Sequence, residues 1–310
     1  PNMADEASVK EYMECEDLWV CWANFDGEGN DSHTQSYGVT PEEAMRNALR
    51  DWDEEMATRR AALFAAVADD IPQSPDYDAL EEAFHKNKGQ IAAIIAQPYM
   101  HGNFMDNEFP KEGFWQKVRK LCDDNGTVLI IDDVRAGFRM DIAGSDHYFG
   151  FEADLICFCK ALANGYNVSA LCGKEFLKNS VSSLSYTGSY WMSAVPFAAG
   201  IACIEKMKRL NCPQLLIDKG QTLKDRLIAT AAKYGFDLHV SGIPSLFYLR
   251  IADDPTLMLH QEWIAECVKR GVFFTNHHNH FINASLSDED IAETVEIADE
   301  AFAVVRERHS

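Results

Sequence analysis

The chain has 310 residues, 47% hydrophobic and 25% charged, enough for one large or two medium domains with a sizeable core. With 28 Lys and Arg against 49 Asp and Glu, the net charge of −21 repels nucleic acid over most of the surface, and no uninterrupted apolar stretch reaches membrane-spanning length. No charged and apolar leader pattern opens the sequence, and the nine cysteines include no C-x-x-C pair, so the expectation is a reduced, cytoplasmic protein with no membrane or nucleic-acid partner and no metal. In chain order, LWVCWANFDGEGNDSHTQSYG (18–38) reads as an apolar strand, a Gly-rich turn and a polar strand. TPEEAMRNALRDWDEEM (40–56) follows as a helix, with Thr40 as N-cap, Pro41 at the first position and Glu43 completing a capping box.

From about residue 80 the pattern alternates. A helix over 79–88 precedes IAAIIA (91–96), stopped by Gln97-Pro98. A helix over 112–124, ending near Asn125-Gly126, precedes VLII (128–131), stopped by Asp132-Asp133. LICFC (155–159) is stopped by Lys160, and VSALC (168–172) by Gly173. Short continuous apolar runs between helices signal strands covered on both faces, and hence a mostly parallel α/β sheet. Cys157 and Cys159 belong to such a run and read as core packing. A turn in SYTGSYWMSAVPFAAG (185–200) feeds helices over 195–210 and 214–234. Strands at 236–240 and 245–251, a helix over 259–270, GVFF (271–274), HFINAS (280–285) and a helix over 287–307 complete a smaller α+β region. Ser287 ahead of Asp288-Glu289-Asp290 is the expected N-cap of the last helix.

The polar stops carry the chemistry. Ligands of open α/β sheets bind beyond the carboxyl ends of the strands, so parallel pairing brings Gln97, Asp132 and Lys160 to one crevice. A lysine amine forms a Schiff base with an aldehyde cofactor, and pyridoxal phosphate needs a carboxylate at its pyridine nitrogen. Lys160 and Asp132 are the candidates for those two roles.

At these residues the sequence resembles the class III aminotransferases of the fold-type I pyridoxal-phosphate enzymes, and within them the branch containing glutamate-1-semialdehyde aminomutase. LIIDDVRAGFR (129–139) is similar to the family's D-E-V-x-x-G-F-R segment, and DLICFCKALANGYNVSALCG (154–173) to its D-L-x-x-x-x-K segment. GSYWMSAVPFAAGIACIEKM (188–207) is similar to G-T-Y-x-x-N-P-x-x-x-A-A-G, and residues 269–302 to the C-terminal strand and helix. Four segments in order, over roughly residues 78–305, make the resemblance specific.

The resemblance implies a three-layer α/β/α fold with a mostly parallel sheet, followed by a smaller C-terminal α+β domain. The expected division is a divergent N-terminal element (1–60), a cofactor-binding core (61–205) and a small domain (206–310). It further implies pyridoxal 5'-phosphate as cofactor and a homodimer with shared sites. Lys160 would be the Schiff-base lysine and proton shuttle, Asp132 the partner of the ring nitrogen, and Val134 a contact on the ring face. Ser189, with Thr187 beside it, would bind the cofactor phosphate. Gln97 stands where the family has glutamate before proline, and Asn103 matches a Gly-Asn pair near the substrate. The His277-His278-Asn279-His280 cluster falls where the family has a histidine-asparagine pair, which implies a substrate-side loop rather than a metal site.

The sequence also departs from the family. The chain ahead of Lys160 is far shorter, and the S-G-T/S-E-A phosphate cup is not recognisable. TPEEAMRNALR (40–50) can be laid on the cup and its helix, with Thr40-Pro41-Glu42 where the family has small hydroxyl residues and glycine. A phosphate binds free N–H groups at a helix N-terminus. Here a capping carboxylate occupies that place, Pro41 removes one N–H, and Glu42 adds negative charge. Residues 17–56 read alternatively as a small added element, since a strand hairpin followed by G-x-T-P-E-E-A also occurs in antitoxin-like domains. Two functions remain open: an aminotransferase or aminomutase acting on a small amino compound, or a non-catalytic homologue that serves as a structural or regulatory partner.

Overall fold

The computed structural model describes residues 19–23, 34–38, 76–102, 105–183, 188–190 and 192–309. The chain divides into two units, residues 1–71 and 72–310. In the first unit, β1 (Trp19–Ala23) pairs antiparallel with β2 (Thr34–Gly38), Trp19 opposite Gly38, as the alternation around the Gly-rich stretch predicts. The capping box at Thr40 and the segment laid on the phosphate cup lie outside the described residues.

The second unit opens with α1 (Tyr77–Lys86), whose N-cap Asp76 accepts from the backbone N–H groups of Asp78 and Ala79 at 3.0 and 3.4 Å. Then come β3 (Ala93–Ala96), α2 (Phe114–Asn125), β4 (Val128–Asp132), the short α3 (Ser145–Phe149), β5 (Leu155–Phe158), a 3₁₀ turn (Lys160–Leu162) and β6 (Ala170–Gly173). Gly126 closes α2 in the left-handed region, the stop that Asn125-Gly126 announces. The strands form one sheet in the order β3-β4-β5-β6. β3, β4 and β5 are parallel, with Ala96 opposite Ile131 and Asp132 opposite Cys157. β6 runs antiparallel to β5, so the sheet is mixed at that edge.

Leu129, Ile131, Ile156 and Phe158 are buried together with Trp115, Val118, Leu121 and Cys122 of α2. The alternate residues of the strands are less covered: Ile95 is 64% and Leu171 50% exposed. The apolar runs predict burial on both faces, whereas the described helices cover one. Gly137 closes the turn after β4. A Cβ there would stand 2.6 Å from the Asp133 carbonyl oxygen and 2.9 Å from the Phe158 ring, so the backbone passes closer than any side chain allows.

A buried carboxylate ties this sheet to its helix. Asp154 accepts from the Leu129 backbone N–H at 2.8 Å and pairs with Arg119 of α2 at 2.8 Å and Lys174 at 3.0 Å. Burial raises its pKa, but these bonds outweigh burial and hold it below the usual carboxylate range. Asp154→Ala leaves a strand N–H without its acceptor and takes from the half-buried Arg119 its buried carboxylate partner, with Asp123 remaining at 2.7 Å. The expected loss is about 3 kcal/mol, read as a lowered urea midpoint at unchanged slope.

The remaining elements are a 3₁₀ turn (Glu175–Leu177), α4 (Lys178–Ser182), α5 (Ala194–Arg209), α6 (Cys212–Lys233), β7 (Leu238–Ile243), β8 (Leu246–Ile251), α7 (Met258–Lys269), β9 (His280–Phe281) and α8 (Asp288–Arg308). β7, β8 and β9 form an antiparallel sheet. Trp263 of α7 stacks on Phe302 of α8 with centroids 4.6 Å apart, both fully buried. The expected cap of α8 forms as a full capping box: Ser287 Oγ accepts from Asp290 N at 3.0 Å, and the Asp290 carboxylate accepts from Ser287 N at 2.7 Å. GVFF is not a strand. The ladder position beside β8 is taken by β9, with Leu246 opposite Phe281, and Phe273 is 80% exposed.

Candidate functional site

The tips of β3, β4 and β5 converge, as parallel pairing requires. Asp132 is the last residue of β4 and is half-buried; its Oδ1 accepts from Val134 N at 3.1 Å, and Oδ2 has no protein partner among the described residues. Its neighbour has a different task. Asp133 is buried, donates its backbone N–H to the Cys157 carbonyl at 3.0 Å, and accepts from the backbone N–H of Ser145 at 2.9 Å and from the Ser145 hydroxyl. Burial pushes its pKa up to about 6 despite those bonds. Asp133 therefore pins α3 to the end of β4, which leaves Asp132 free to face a ligand.

Lys160 follows β5 as the first residue of the 3₁₀ turn, and its side chain is exposed. Its φ of 43° lies in the left-handed region, and its carbonyl accepts from Asn164 N at 2.9 Å. Phe138 and Asn164 have φ of 66° and 47°. Three of the five described non-glycine residues with positive φ thus lie in the loops that leave β4 and β5, where strain is retained only under strong constraint.

The third member of the site is His101, five residues past β3. Its carbonyl accepts from Arg135 Nη1 at 2.7 Å and from Asn279 Nδ2 at 3.2 Å, which fastens the β3 tip to the loop before β9. Its ring is 1% exposed, stands edge-on to Tyr99 with centroids 4.8 Å apart, and leaves Nε2 without a protein partner. Burial lowers its pKa to about 4, with Arg135 and Lys160 pushing the same way and Asp132 opposing. The imidazole is therefore neutral, and it senses both strand-tip charges.

Gln97, exposed, comes one residue after Ala96, the partner of Ile131, and so lies level with Asp132. Val134 is half-buried in the turn after Asp132. Ser189 is exposed in the turn ahead of α5 and has no hydrogen bond to Asp132 or Lys160. Thr187 and Asn103 lie outside the described residues. The histidine cluster is engaged locally: His278 Nδ1 lies 3.0 Å from the Asn279 carbonyl, and His280 Nε2 accepts from Thr275 N at 3.2 Å. His101 and Arg135 were not among the sequence candidates for this crevice, whereas Asn279 belongs to the histidine cluster that the resemblance puts on a substrate-side loop. The local signal for His101 is that it adjoins the Gly-Asn pair that the resemblance puts near the substrate. Chemically, the crevice offers an amine able to take a carbonyl carbon, a carboxylate with one oxygen free for a protonated ring nitrogen, and a neutral imidazole.

A family model described as Aminotransferase class-III matches residues 38–302. Over 230 residues the chain is 37% identical to the aminopentol aminotransferase of Sphingopyxis macrogoltabida, covering 74% of this chain and 54% of that protein. It is 29% identical over 244 residues to glutamate-1-semialdehyde 2,1-aminomutase of Francisella tularensis subsp. holarctica, covering 73% and 56%. The internal aldimine form of the FumI protein of Sphingopyxis sp. MTA144 superposes with a TM-score of 0.74 at 37% identity, over 76% of this chain and 57% of that one. An omega-transaminase of Sphaerobacter thermophilus, at 19% identity, shares the fold with a TM-score of 0.64. The chain spans about half the length of the curated relatives it matches.

Proposed function

Because the chain belongs to the class III aminotransferase family, we propose that it uses pyridoxal phosphate to transfer an amino group from a small amino compound, with Lys160 as the amine that holds the cofactor's aldehyde. One observation carries the reading. Asp132 and Lys160 end adjacent parallel strands, one carboxylate oxygen is left without a partner, and the same histidine senses both. Bound pyridoxal phosphate supplies an electron sink for breaking a bond at the carbon that bears nitrogen. Asp132 would accept from the protonated ring nitrogen and hold it charged. Lys160 Nζ would carry a proton between the two carbons that exchange it. Val134 would cover one face of the ring, Ser189 and Thr187 would hold the phosphate, and Gln97 and Asn103 would border the substrate.

In this reading residues 61–205 form the cofactor-binding core and 206–310 the small domain, and the working unit is a cytoplasmic homodimer. The exposed Tyr190, Met192, Val195 and Ile201 at the start of α5 suit such an interface. Identity of 37% with an aminotransferase against 29% with an aminomutase favours transfer between molecules over rearrangement within one. A second reading, a homologue without cofactor that acts as a structural or regulatory partner, rests on the sequence Thr40-Pro41-Glu42-Glu43, which has a proline and two carboxylate residues where the family has small hydroxyl residues and glycine. Titrating the chain with pyridoxal phosphate separates the two. A saturable visible band that shifts on adding an amino donor is the expected result. A protein that stays colourless in excess cofactor overturns the enzymatic reading and leaves the second.

A further inference from the structure

A cavity of about 300 Å³ lies between the loop that follows β5, the end of α5, the start of α6 and the loop after β9. Phe138, Met207, Leu216 and Ile282 give it an apolar floor. Arg139 and Lys206 are its only charged lining residues, so a chain of net charge −21 here presents two cations and no carboxylate.

Arg139 makes the imbalance acute. Its Nη1 donates to the Ile282 carbonyl at 3.0 Å, and its guanidinium lies over the Phe281 ring at 4.7 Å. Its Nε is buried with no partner, and no described carboxylate pairs with it. Burial lowers its pKa to about 10, so the group stays charged at neutral pH. A half-buried cation is stabilised by a counter-charge or a full set of acceptors, and this one has backbone carbonyls of Ser245 and Ile282 at Nη1 alone, no acceptor at Nε and no carboxylate. The two lining thiols do not supply it. Burial raises the pKa of both Cys203 and Cys212, which leaves them neutral. Lys206 forms no ion pair among the described residues, and its charge acts on both thiols.

We propose that this cavity binds a small aliphatic monocarboxylate, its carboxylate held by Arg139 and Lys206 and its body on the Phe138–Met207–Leu216 floor. The volume sits at the lower end of the range for small-molecule sites, which fits a short chain rather than a nucleotide. A planar guanidinium matches a carboxylate, and the apolar floor disfavours a fully hydrated anion such as phosphate. Neither Asp132 nor Lys160 lines this cavity, and the proposal does not depend on any cofactor.

Isothermal titration calorimetry of the full chain with sodium butanoate tests it, with butylamine and inorganic phosphate as the contrasting probes. One saturable site for butanoate and none for butylamine is expected. Lys206→Gln, at an exposed position that folding tolerates, weakens binding by roughly tenfold. Leu210→Trp, which fills the exposed rim, abolishes it, and Lys160→Ala leaves it unchanged. The proposal is overturned by no saturable binding, by equal affinity in Lys206→Gln, by loss of binding in Lys160→Ala, or by phosphate binding more tightly than butanoate.

Discussion

Lys160→Ala yields a folded protein that gains no amine-sensitive visible band with pyridoxal phosphate and loses amino transfer by about a hundredfold to ten-thousandfold or more, the range assigned to positioned proton transfer alone. The side chain is exposed and makes no ion pair, so its removal costs the fold little. What is lost is the amine at the tip of β5 that the proposed function makes nucleophile and proton carrier. The backbone stays in place, because the carbonyl of residue 160 still accepts from Asn164 N. Three measurements check this: circular dichroism for the fold, absorbance with cofactor, and mass spectrometry after borohydride reduction, which should find the cofactor on Lys160 in the wild type only. A variant that keeps the band and the activity would remove Lys160 from the chemistry.

Acidification from pH 6 toward pH 4 destabilises the protein most steeply near pH 5, by up to about 2.7 kcal/mol per pH unit, the value for two extra protons bound by the unfolded chain. His101, His260 and His280 are each lowered to about 4 by burial, from an ordinary value of 6.5. For His260, Arg250 also lowers it and Asp254 opposes; for His280, His260 and His278 lower it further. Both ring nitrogens of His260 and Nδ1 of His280 lack protein partners. Around pH 5 the unfolded chain protonates nearly all of the three rings and the folded chain few, so their stabilisation is present above pH 6.5 and is lost on acidification toward the folded values near 4.

Asp133 acts in the opposite sense. Raised to about 6 in the fold, it binds a proton there that the unfolded chain does not, and this offsets one of the three. Urea midpoints followed across this window should therefore fall steeply with acid. In His260→Phe, beside Trp263 in the core, the slope should drop by about half. A midpoint that stays flat from pH 6 to 4 would refute the account.

The strands were legible where an apolar run met a polar stop. IAAIIA, VLII and LICFC became β3, β4 and β5, and their stops Gln97, Asp132 and Lys160 came to one end of the sheet. The direction of β6 was not legible, because alternation along a strand carries no information about its neighbour's sense. GVFF has the composition of a strand but no free ladder to join, a fact settled only by where β9 returns. α3 escaped notice because a five-residue helix shows too little of its period. The contacts at His101 that the sequence did not reveal are long-range bonds. Arg135 reaches His101 across 34 residues of chain and Asn279 across 178, and neither spacing leaves a local pattern.

The reversal of β6 has a bearing on how much change the lysine loop can absorb. Phe158 and Ala170 are opposite rungs of one ladder, so the loop leaves and re-enters the sheet at adjoining points. Both feet of the loop are clamped, and its crest at Asn164–Asn167 is solvent-facing. Variation at the crest can reshape the rim above the amine without displacing the amine, which makes this short bridge a natural place for substrate preference to diverge while the chemistry beneath it stands still.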